Sequence, residues 1–186
     1  MSGQRIGVAI LLVGALLFGS ASMAAEDGAA AEQASWRHTQ LTFTYFGFTS
    51  HYTCDGIEDS VRHILLMFGA RKDAKVRATG CSEGMHRPSR SMWVKVEFDA
   101  LTPGTAASGG EAVAGKWMPI QVAPHQPLDM QEGDCELIEH LRGVLLQGFA
   151  FKDLEYDTRC VPHQTTLGSY RIKGKVLMPA LPAVSP

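Results

Sequence analysis

Apolar side chains in the first half of the chain recur with helical spacing. Ile57, Val61, Ile64, Leu65 and Phe68 fall at i, i+4, i+7, i+8 and i+11, the stripe of a helix with one buried face. Asp55 followed by Glu58 resembles a capping box in which Asp replaces Ser or Thr, and Gly69 stands where a C-terminal cap belongs. Leu137, Leu141, Val144 and Leu145 repeat the stripe, in a helix expected to start near Asp134 and end near Gly148. Elsewhere the period is two. Met92, Val94, Val96 and Phe98 alternate with Trp93, Lys95 and Glu97, and Tyr170, Ile172, Val176 and Met178 alternate with Arg171, Lys173 and Lys175. That is the pattern of strands with one buried and one wet face.

The two helical stripes belong to a longer self-similarity at an offset of 80 residues. Val61-Arg62-His63-Ile64-Leu65-Leu66 matches Leu141-Arg142-Gly143-Val144-Leu145-Leu146, and Ala70-Arg71-Lys72-Asp73 matches Ala150-Phe151-Lys152-Asp153. A further strand is expected before each helix, over Leu41–Thr53 and Trp117–Ala123. One more follows each helix, over Lys75–Gly80 and Asp153–Cys160. Each half then reads β-α-β-β. The division is a first repeat over residues 36–101, a flexible Gly/Ala/Ser/Thr/Pro connection over 102–115 and a second repeat over 116–178. Because a half of this size leaves much of its sheet uncovered, the expected fold is α+β. Both halves form one domain with a single six-stranded antiparallel sheet and two helices on one face.

The ends of the chain differ from these repeats. Arg5, the apolar run Ile6–Phe18 and the small residues Ser22-Met23-Ala24 follow the logic of a signal peptide over residues 1–24. The run is shorter than the roughly 20 residues of a membrane span, so no transmembrane anchor is expected in the mature chain. Residues 25–35 read as a mobile leader and 179–186 as a flexible tail. Removing Arg5 with the signal lowers Lys plus Arg from 17 to 16 against 19 Asp plus Glu, which excludes bulk attraction to nucleic acid. With 45% hydrophobic and 19% charged residues, the chain is not an intrinsically disordered one.

Export also gives the four cysteines a role. Cys54 and Cys81 flank the first helix and the strand after it, and Cys135 and Cys160 hold nearly the same places in the second half. Of the three possible connectivities, Cys54–Cys81 with Cys135–Cys160 treats the halves alike. Cys135 and Cys160 are each displaced one place inward from the offset of 80, as a coupled pair would be. No C-x-x-C occurs, so zinc modules and thioredoxin-like redox centres are disfavoured.

No catalytic, cofactor or phosphate-binding motif is present, and the chain reads as a noncatalytic protein without a metal or cofactor. A copper or zinc site assembled from His51, His86, Met85, Met118, His125 and Met130 is the alternative, beside an unrecognised envelope enzyme. Two surfaces are candidates for binding. One gathers His86, Arg87 and Arg90 before the fourth predicted element, together with Arg171, Lys173 and Lys175, facing an envelope protein or an anionic envelope component. The other is Phe43-Thr44-Tyr45-Phe46-Gly47-Phe48, whose aromatic residues occupy both alternation classes. Tyr52-Thr53-Cys54-Asp55 and Gly133-Asp134-Cys135-Glu136 resemble segments of a family of exported proteobacterial proteins with two Cys-containing repeats and no known function. The resemblance implies a periplasmic or secreted location and brings no site residues with it.

Overall fold

A computed structural model describes residues 30–81, 88–104, 112–127, 129–161, 163 and 170–180. The element order is β1 (Glu32–Phe46), α1 (Cys54–Met67), β2 (Lys75–Thr79), β3 (Ser91–Pro103), β4 (Ala112–Val122), α2 (Cys135–Gly148), β5 (Phe151–Thr158) and β6 (Tyr170–Pro179). All six strands form one antiparallel sheet in the order β2-β3-β1-β4-β6-β5. Exchanging β1 with β4, β2 with β5 and β3 with β6 leaves that order intact. The α+β architecture expected from the periodicity is therefore the one observed.

Both helices bury their stripes in a single core. Ile57, Val61, Ile64, Leu65 and Phe68 of the first half pack in one cluster with Leu137, Leu141, Val144 and Leu145 of the second, and with Val94, Val96, Ile172 and Val176 of the sheet. The start of α1 differs from the expected capping box. Thr53, not Asp55, is the cap, its hydroxyl accepting from the Gly56 N–H at 3.0 Å, while the Glu58 carboxylate accepts from the Ala78 N–H of β2 at 2.8 Å. The other end is as expected. Gly69 adopts φ +91°, and the Gly69 and Ala70 N–H groups donate to the Leu66 and Leu65 carbonyls, closing the helix in a Schellman motif.

Strand boundaries depart most from the sequence reading. β1 begins at Glu32, inside the stretch read as a leader, and ends at Phe46 rather than Thr53. Its first residues are held because Glu32–Ser35 pair with Ala112–Gly115 of β4. Those β4 residues lie in the stretch read as a flexible connection. Small residues there serve a close approach, since a Cβ on Gly115 would meet Ala34 and Leu177 at about 3 Å. β5 likewise runs two residues ahead of its expected position. Residues 1–29, which include the expected signal peptide, lie outside the described residues, as do 105–111 and 181–186.

On the sheet face away from the helices, Trp36 pairs with Leu101 and Trp117 with Leu177. Together with Ala34 these residues form a second, smaller apolar cluster at the junction of the halves. Lys152 Nζ covers the Trp117 ring at 4.0 Å and Arg71 the Trp36 ring at 5.4 Å, so each indole keeps a cation on its face.

Both disulfides join the expected partners, Cys54 with Cys81 and Cys135 with Cys160, at Cα separations of 6.1 and 5.7 Å. Each bridge ties the first residue of a helix to the chain beyond the next strand.

Candidate binding site

The halves are clasped at the N-terminus of α2. Glu136, buried in its first turn, accepts hydrogen bonds from three consecutive backbone N–H groups after β1: Phe48 at 2.9 Å, Thr49 at 2.9 Å and Ser50 at 3.2 Å. Tyr52 donates its hydroxyl to Asp134 at 2.7 Å, Tyr170 donates to the Gln131 carbonyl at 2.7 Å, and Tyr45 donates to the Ser50 carbonyl at 2.5 Å. Burial holds the Tyr45 and Tyr52 phenols well above their ordinary range, and the nearby Glu136 and Asp134 carboxylates add to the shift. These tyrosines remain protonated donors. Their chemistry is structural: Tyr52 binds the Asp134 carboxylate of the other half, whereas Tyr45 closes the turn after its own strand and Tyr170 ties β6 to the segment before α2.

This clasp fixes the chain at the end of β1, and that is what shapes the surface beyond it. Gly47 N–H donates to the Arg90 carbonyl at 2.8 Å and Ser89 N–H to the Tyr52 carbonyl at 2.7 Å, so the segment entering β3 is docked against the turn leaving β1. A cleft of about 560 Å³ opens there, lined by His51, Gly80, Pro88, Ser89, Arg90 and Trp93 among others. Arg90 is exposed, and its Nε donates to His51 Nε2 at 3.3 Å. Gly80, at φ +80°, lets the Trp93 ring lie over it, because a Cβ there would come within 3.0 Å of the indole carbons.

Exposed apolar groups gather around this cleft. Trp93 is 60% exposed, Phe46 42% and Phe48 43%. Trp93 stands opposite Thr44 and Phe46 opposite Ser91, so the two aromatic residues are diagonal neighbours on one sheet face. Phe48 meets Phe46 edge-on at a centroid distance of 4.9 Å and His163 at 5.6 Å. Val161, 44% exposed, lies two residues before His163. Of the aromatic segment singled out in the sequence, Phe43 and Tyr45 turn to the core while Phe46 and Phe48 turn outward.

The chain matches no family model, curated protein or solved structure.

The predicted cationic residues divide. Arg90 lies at the cleft. His86 and Arg87 lie outside the described residues. Arg171, Lys173 and Lys175 stand on β6, where Arg171 faces Asp157 and Lys173 faces Glu155 of β5 across the ladder; Lys175 lies 3.9 Å from Asp153. No contact joins this row to Arg90 among the described residues, and acids accompany it. The residues considered for a soft-metal site are also dispersed. His51 engages Arg90, Met130 is in the core, and Met118 is exposed on β4. Among the described residues no three His, Cys, Asp or Glu side chains group as metal ligands. Periodicity assigns Trp93 only to a wet strand face, in line with Lys95 and Glu97. An indole in that position was the available sign of a binding surface. Glu136 carried no such sign.

Proposed function

We propose that this is an exported, disulfide-stabilised binding protein of the periplasm or extracellular space. Its recognition surface is the aromatic and cationic end formed by Trp93, Phe46, Phe48, Arg90 and His51. The observation that carries this reading is the concentration of exposed large apolar side chains beside a cleft that the exposed Arg90 lines. Scattered single apolar residues are ordinary on a surface, whereas a contiguous group rimmed by polar residues marks contact with a partner. A broad ring flanked by a cation suits an anionic group on an envelope protein or envelope component, with the aromatic area supplying contact and Arg90 the charge. Two disulfides support an oxidising compartment, in keeping with the signal-like residues 1–24. No helix among the described residues is long and apolar enough to cross a membrane.

Photo-crosslinking in intact cells tests the reading. A benzophenone amino acid replacing Trp93 is expected to give a discrete crosslinked product that is lost when Arg90→Ser is added, while the same probe at Lys173 gives none. A product from Lys173 alone would move the recognition surface to the β6 row.

A further inference from the structure

Although β1 is central in the strand order, β4 covers only its first four residues, Glu32–Ser35. Among the described residues the remainder, from Trp36 to Phe46, pairs with β3 on one side alone. Backbone direction follows from two bonds: Gly47 N–H donates to Arg90 O, and Gly104 N–H to Gln33 O. Odd-numbered positions of β1 therefore point their N–H and C=O groups at β3, and even-numbered ones point away. The outward groups of His38, Gln40, Thr42 and Thr44 have no backbone partner among the described residues. Their side chains are exposed on the helix-free face.

β4 has a matching stretch without a second partner strand among the described residues, and the contrast is informative. Ala180 N–H donates to Ala114 O, so even positions of β4 face β6 and odd positions face the free side. Pro119 is one of these odd positions. Its missing N–H blunts the β4 edge, a usual defence against unwanted strand pairing. From His38 to Thr44 the β1 edge has no proline, glycine, lysine or acid. It is regular in register and meets no second strand beyond Ser35 among the described residues.

We infer that β1 is a dimerisation edge, pairing antiparallel with β1 of a second copy of this chain about a two-fold axis at Leu41. An isologous contact must be self-complementary, and this one is. With the axis at Leu41, Gln40 lies opposite Thr42 of the second copy and His38 opposite its Thr44. All of these are even positions, so each pair can exchange both backbone hydrogen bonds. No like charges meet, and His38 keeps its 2.8 Å contact with Asp99. The result joins the two β1 ladders; the same register sets Phe46 opposite Trp36 of the second copy, while Trp93, on β3, lies outside the pairing.

Light scattering and sedimentation of the full mature chain test this. Thr42→Pro removes only an outward N–H, so it is expected to keep the parent melting temperature and weaken dimerisation about 100-fold. Should that variant fold poorly, Gln40→Lys with Thr42→Lys decides, since it sets lysines opposite lysines while leaving the β3 ladder untouched. Trp93→Ser is expected to dimerise like the parent, which separates the β1 edge from the Trp93 part of the binding end. A parent that stays monomeric up to about 100 μM, some hundredfold above a micromolar dissociation constant, would overturn the inference. So would a dimer unchanged by either edge variant.

Discussion

Glu136 does the work of a backbone segment. Its carboxylate gathers three N–H groups of the turn after β1, and in its absence those donors lose their partner in a half-buried place. Glu136→Ala is expected to lower stability by about 3 kcal/mol in urea unfolding, and Glu136→Gln by less, since the amide oxygen still accepts. The tyrosines around it give a pH dependence with a definite sign. Tyr45, Tyr52 and Tyr156 are held above the ordinary phenol value near 10 chiefly by burial, whereas the unfolded chain ionises them near 10. Below that pH both states keep their protons. Above it only the unfolded state gains by releasing them, so stability falls as pH rises past about 10. Phenolate absorbance near 295 nm is therefore expected to rise together with loss of the far-ultraviolet helix signal. Ionisation of these three tyrosines well before unfolding would contradict their burial.

At the scale of elements, each helix is a stripe held at its first residue by a disulfide. Separations of 27 and 25 residues correspond to about 3.5 kcal/mol per bridge by loop-closure entropy, so Cys135→Ala with Cys160→Ala should cost about that much in urea unfolding. Thr53→Ala should cost about 1 kcal/mol through loss of its cap, measured in the same way. Both helices and the cysteine pairing were legible in the sequence, because a 3.6-residue period and a repeated spacing are properties of the chain itself. Strand ends were not. The residues pairing β1 with β4 are Ala, Gly, Ser, Glu, Gln and Val, whose composition reads as a linker until a second strand is placed against them. Only part of the site was legible. Arg90 stood out by charge, while Trp93, Phe46 and the clasp by Glu136 depend on a turn whose geometry is set by residues about 85 positions away.

For the molecule as a whole, the account holds that two like halves are one cooperative unit, sharing a core and joined at α2, and that this joint positions the binding end. Native-state hydrogen exchange tests the claim directly. The slowest amides of β3 in the first half and of β6 in the second are expected to exchange through the same global opening, with equal free energies and equal dependence on urea. Amides of one half that open several kcal/mol more easily than those of the other, with a smaller urea dependence, would show two independent units and contradict the account.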